Sequence, residues 1–243
     1  MHLVIFKSEA RPQKCLVFFI TFMMGLLLPL IAMAEEKTNL DWPNLAAYAK
    51  ANAQAKSQAP GIVKVVFIGD SITEFWTPAF WNSGRVNRGI SGQTTPQMLL
   101  RFRADVLELN PNLVVILAGT NDVAENTGPA SIEMIVGNIV SMVELAKANG
   151  LKVILGSVLP ASEFPWNTAL KPAYKIVTIN RHLRIYAAQH GLTYVDYFSN
   201  MVDENNGIRR VYSEDGVHPN KAGYDLMERL VTQAINDNLK PSK

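Results

Sequence analysis

The chain has almost no cysteine: a single one, Cys15, in 243 residues. That excludes a disulfide framework and any zinc site built on thiolates. Histidine is nearly as scarce, with four, and no His/Asp/Glu cluster shows metal-ligand spacing, so a metal is not required. An excess of one charge is missing too. Lys and Arg number 23 against 21 Asp and Glu, which gives no electrostatic warrant for nucleic acid or an anionic membrane as partner. Repeats, low-complexity tracts and internal linkers are absent. At 48% hydrophobic and 18% charged residues the composition is not that of a disordered chain. The length suits one globular domain.

What is present begins with an uncharged run of twenty residues, Cys15 to Ala34, preceded by Lys7, Arg11 and Lys14 and closed by Ala32-Met33-Ala34. A basic start, an apolar stretch and small residues at a cleavage point make residues 1–34 a secretory signal peptide. An uncleaved anchor is the competing reading, and Pro29 with the Ala-x-Ala ending speaks against it. Cys15 stands before the apolar run, which disfavours a lipoprotein. Cleavage would leave 209 residues with 20 basic and 20 acidic side chains, no cysteine, and only His182, His190 and His218. The expected location is periplasmic or secreted.

Residues 35–60 read as an N-terminal helical segment, with Asp41-Trp42-Pro43 as the start of a helix that runs from Asn44 to Lys56. From residue 61 to 243 short apolar runs alternate with helical stretches, the pattern of a parallel sheet covered on both faces. The runs Val63–Ile68, Leu113–Ala118, Lys152–Val158 and Leu192–Asp196 are expected strands, with Arg85–Asn87 as a very short fifth. Helices are expected over Pro96–Glu108, Ser131–Asn149, Pro172–His190 and from near Pro219 to about Asn238. This is a doubly wound α/β domain, which binds ligands where strands end.

Polar residues collect at four such ends. Gly69-Asp70-Ser71 follows the first strand, and Ser71 at a helix start suits an acyl-transfer nucleophile, with Gly69 permitting a sharp turn; Asp70 or Ser71 as a simple N-cap is the plainer alternative. Gly89 and Gly92 lie in a loop after the short strand, where the Gly92 N–H is a possible oxyanion donor or part of an ordinary turn. Asn121 in Gly119-Thr120-Asn121-Asp122 offers a side-chain amide, or caps its own turn, as Asp122 is expected to do. Asp215 precedes His218 by three residues, a spacing that lets a carboxylate fix an imidazole. His182 and His190 fall in a helix and read as exposed or structural.

These four segments, in this order, resemble the SGNH hydrolases, or GDSL esterase/lipase family, over residues 63 to 238. The likeness is greatest to the branch of platelet-activating-factor acetylhydrolase catalytic subunits and secreted bacterial acylhydrolases, through Gly92-Gln93-Thr94-Thr95 and Leu159-Pro160. The resemblance implies a three-layer α/β/α fold around a flavodoxin-like sheet of about five parallel strands. It implies Ser71 as nucleophile, His218 as general base and Asp215 as its orienting acid. The oxyanion hole would then consist of the Ser71 and Gly92 N–H groups and the Asn121 amide, with no metal and no cofactor. Gln93 departs from the family, which often has Asp there. The absence of Gly-x-Ser-x-Gly disfavours the α/β-hydrolase elbow.

The expected substrate is a small-molecule or glycan ester with a short acyl group, acetyl above all. Phe75, Trp76, Phe80 and Trp81, and Phe164 and Trp166, flank the site; most of the first four are expected to pack a helix onto the sheet. Rival readings are a lysophospholipase or thioesterase for long acyl chains, an O-acyltransferase, and a carbohydrate-binding module without turnover. Oligomeric state is not encoded in any feature of the sequence.

Overall fold

A computed structural model describes residues 41–57, 61–62, 64–81 and 84–240. The signal peptide expected over 1–34, residues 35–40 and 58–60 of the helical segment, Val63 and residues 241–243 lie outside these. Five strands, β1 (Val65–Gly69), β2 (Arg85–Gly89), β3 (Leu113–Leu117), β4 (Lys152–Gly156) and β5 (Thr193–Val195), form one parallel sheet in the order β2-β1-β3-β4-β5. That is the flavodoxin-like order, with its switch point between β1 and β3. Arg85–Gly89 is longer than the expected three-residue strand because Arg88 and Gly89, although buried and paired with Ile68 and Gly69 of β1, carry no apolar run.

Alternation along the strands divides the core into two layers. Val66, Ile68, Val114, Ile116, Val153 and Leu155 pack under three helices, α3 (Thr95–Asp105), α5 (Ile132–Ala148) and α6 (Ala173–Gln189). Val65, Phe67, Leu113, Val115, Leu117 and Ile154 face α7 (Tyr197–Met201) and α8 (Lys221–Leu239). Each fully buried side chain of this kind contributes roughly 1.5–3 kcal/mol relative to an exposed one, so the two apolar faces dominate the stability of the sheet. Ser131 and Asn220 cap α5 and α8 through their side chains, the preferred residue types for unpaired helix N–H groups.

The N-terminal helix, α1 (Ala46–Lys56), differs from the expected one. Pro43 lies in a turn outside it, Asn44 is left-handed at φ 57°, and the Asp41 carboxylate accepts hydrogen bonds from Leu45 N and Ala46 N at 2.7 and 2.8 Å. Two one-turn helices, α2 (Ser71–Glu74) and α4 (Thr120–Val123), follow β1 and β3 directly. No helix among the described residues is long and apolar enough to cross a membrane.

Candidate active site

Ser71 stands two residues past β1. Asp70 caps α2 by accepting from Ile72 N at 3.0 Å, so the capping alternative is true of Asp70 while Ser71 is left available. Gly69 is needed for a reason other than a sharp turn. Its φ is not positive, but a Cβ there would come within 2.1 Å of Thr73 Oγ1 and 2.6 Å of the Leu117 carbonyl oxygen. Only glycine lets α2 fold back against the ends of β1 and β3.

His218 reaches Ser71 from the far end of the sequence. The turn that carries it is wound around one carboxylate: Asp215 Oδ1 accepts from Ser213 Oγ (3.1 Å), Val217 N (2.9 Å) and His218 N (2.8 Å). Asp215 Oδ2 lies 2.7 Å from His218 Nδ1. A carboxylate only accepts, so Nδ1 carries the proton and Nε2 is the bare nitrogen. That nitrogen stands 3.0 Å from Ser71 Oγ. Burial would raise the Asp215 pKa, but the hydrogen bonds from the His218 ring, His218 N and Val217 N outweigh it and pull the pKa down to about 2. Asp215 is therefore ionised at neutral pH.

The loop after β2 and the loop after β3 meet through side-chain amides. Gly92 takes φ 77°, a left-handed conformation that favours glycine. Asn121 Nδ2 donates to the Gln93 carbonyl oxygen at 3.1 Å. Asn126 Nδ2 donates to Asn121 Oδ1 at 2.9 Å and to the Gly92 carbonyl oxygen at 3.3 Å. Asn121 is thus engaged across the loops rather than capping its own turn. Asp122 is too: its carboxylate accepts from Thr95 N and Thr95 Oγ1 and so holds the start of α3. The first segment is tied to the second by Ile90 N, which donates to the Gly69 carbonyl oxygen at 3.1 Å.

Gln93, the departure from the family resemblance, is bonded through both ends of its amide. Its Oε1 accepts from Arg101 Nε, its Nε2 donates to the Pro43 carbonyl oxygen, and Arg101 also donates to the Gly69 carbonyl oxygen. A neutral amide cannot balance the buried Arg101 guanidinium; Asp105, at 2.9 Å, does. Asp70 is buried beside this network, and burial raises its pKa to about 7 against the opposing hydrogen bond from Ile72 N.

The aromatic residues separate into core and rim. Trp76, Phe80 and Phe164 are buried, while Phe75 and Trp166 are 56% and 49% exposed, with ring centroids 5.8 and 6.2 Å from that of His218. His182 and His190 are exposed on α6 or just beyond it, as expected. Among the described residues no group of three or more His, Cys, Asp or Glu could hold a metal ion. Sequence reasoning missed Asn126. Its only signal was an amide five residues beyond Asn121; the Asn126 N to Asn121 O hydrogen bond that closes the turn belongs to the fold.

The sequence model of the GDSL-like lipase/acylhydrolase family matches residues 67–226, which contain all four segments. The chain belongs to that family. Its members are carboxylic ester hydrolases, and the resemblance drawn from the four segments holds. The family's fold is found in a GDSL-like lipase from Bacteroides thetaiotaomicron, 49% identical, with a TM-score of 0.79 over 81% of this chain and 99% of that one. Esterase TesA of Pseudomonas aeruginosa is 34% identical over 55% of this chain and 60% of its own length. Human platelet-activating factor acetylhydrolase IB subunit alpha2 is 34% identical over 42% of this chain and 46% of its own. The chain therefore spans about half the length of these two curated relatives.

Proposed function

We propose that this family member is a serine esterase that cleaves short-chain carboxylic esters, acetyl esters above all, through an acyl-enzyme. The observation that carries the reading is the continuous relay from Asp215 Oδ2 to His218 Nδ1, and from Nε2 to Ser71 Oγ, at 2.7 and 3.0 Å. Ser71 Oγ attacks the ester carbonyl as its proton passes to His218 Nε2, and ionised Asp215 stabilises the imidazolium. The Ser71 and Gly92 N–H groups and the Asn121 amide donate to the tetrahedral oxyanion. Collapse expels the alcohol with the His218 proton. Water, deprotonated by the same imidazole, then attacks the acyl-Ser71 and releases the carboxylic acid.

Short acyl groups are supported by the rim. Its exposed rings, Phe75 and Trp166, offer two small apolar faces, whereas a long chain gains about 0.8 kcal/mol per CH₂ only where an extended apolar wall covers it. The same rings suit a leaving alcohol that carries a ring, such as a glycan, because they flank the imidazole that protonates it. The likeness to a platelet-activating factor acetylhydrolase subunit points the same way. Export through residues 1–34 belongs to this proposal and is supported by the sequence features of that segment.

Hydrolysis of p-nitrophenyl esters from acetate to palmitate tests the reading. Activity is expected to peak at acetate or butyrate and to fall on the order of 10⁴–10⁶-fold in Ser71→Ala. A maximum at octanoate or beyond would favour the lysophospholipase or thioesterase for long acyl chains instead.

A further inference from the structure

We infer that Asn126 is a positioning residue that aims the Asn121 amide at the oxyanion, an inference that rests on the catalytic reading above. Two backbone carbonyls decide the matter. The Gln93 carbonyl oxygen can only accept, so the group facing it at 3.1 Å is the Asn121 nitrogen and not its oxygen. The Gly92 carbonyl oxygen can only accept too, so the Asn126 nitrogen faces it at 3.3 Å, and the same nitrogen donates to Asn121 Oδ1 at 2.9 Å. Each amide is thereby locked in one of its two orientations. One Nδ2 hydrogen of Asn121 is spent on Gln93. Among the described residues the other has no acceptor, and it is the one left for a substrate oxygen.

Remove Asn126 and Asn121 Oδ1 loses its donor, so only the Gln93 carbonyl oxygen still holds the amide and its nitrogen is aimed less firmly at the oxyanion. The cost is carried by the transition state, because the hydrogen bond to the substrate strengthens as negative charge develops. Asn126 is exposed, so replacing it leaves the core intact.

The test is a double-mutant cycle on p-nitrophenyl acetate, with melting temperatures as a folding check. Asn121→Ala is expected to lower kcat about 10²–10³-fold, the cost of one oxyanion donor. Asn126→Ala is expected to lower kcat about tenfold, the loss of one net hydrogen bond, with KM little changed. Asn126→Asp keeps the shape but sets acceptor against acceptor, and is expected to lose at least as much. In the Asn121→Ala background the Asn126 variants should cost nothing further. An undiminished loss in that background would overturn the inference, as would an unchanged kcat in both Asn126 variants. A silent Asn121→Ala would overturn the oxyanion assignment itself, and this inference with it.

Discussion

At the residue scale the molecule turns on which atom carries a proton. Asp215 holds His218 by its backbone and by its ring, using one carboxylate oxygen for each. Asp215→Asn would keep the acceptor for the Val217 and His218 N–H groups and turn its amide nitrogen toward the imidazole. Nδ1 must then accept, the proton moves to Nε2, and the ring can no longer take the Ser71 proton. The expected loss in kcat is about 10⁴-fold. Asp215→Ala leaves the tautomer free and is expected to cost less. Steady-state kinetics of the two variants checks the order; a milder Asn variant would contradict it. These three residues were legible in the sequence because each is a chemically distinctive type at a strand end or in an Asp-x-x-His turn. Asn126 was not, since nothing in a turn sequence says where an amide points. Gly69 was legible as necessary but for the wrong reason: the close approach of Thr73 and Leu117 is a contact between elements, invisible in a local reading.

At the element scale, α1 is attached by polar bonds more than by apolar packing. Its one buried residue is Asn52, which donates to Asp105 Oδ1 at 2.6 Å and accepts from Arg88 Nε at 2.8 Å. Asp105 also pairs with Arg101, and both side chains are at most 1% exposed. Removing one partner of a buried pair strands the other charge. Asp105→Ala is therefore expected to destabilise the protein by about 3–5 kcal/mol. The Lys56–Glu108 pair, 42% and 45% exposed, is a fit contrast: Lys56→Ala should change stability by less than about 1 kcal/mol. Urea denaturation separates the two; a small effect of Asp105→Ala would show that the guanidinium finds water or another partner. Helices with a clear apolar stripe and a recognisable cap, such as α5 and α8, were readable to within two residues of their ends. The start of α1 is displaced by two residues as well, from Asn44 to Ala46, because Pro43 fits a helical first turn and an ordinary turn equally well, and the Asp41 carboxylate selects the second.

At the scale of the whole molecule the sheet sets charged groups in opposed environments, and stability against pH follows. Asp70 is buried and its pKa lies near 7, against an ordinary 3.8. Between those values the folded state holds a proton that the unfolded state has released, so this group lowers stability as pH rises from about 4 to about 7. Asp215, lowered to about 2, acts oppositely, its contribution being complete above about 4 and lost as pH falls toward 2. Asp70→Asn keeps an acceptor for Ile72 N and removes the ionisation. Its melting temperature should exceed that of the wild type at pH 8, with a gain of up to about 4 kcal/mol, and match it near pH 4. Equal shifts at both pH values would contradict the assignment. The sequence by itself determined the layers and the strand ends, because apolar runs of strand length alternating with capped helices leave few ways to bury both faces of a parallel sheet. It also determined which residues could do chemistry. Only the tertiary structure decided which atoms meet: that residues 71 and 218, 147 positions apart, lie at 3.0 Å, that Asp122 serves α3 instead of its own turn, and that Asn126 faces Asn121. Those contacts depend on how loops from different strands converge at the switch point, and distance along a chain carries no record of that convergence.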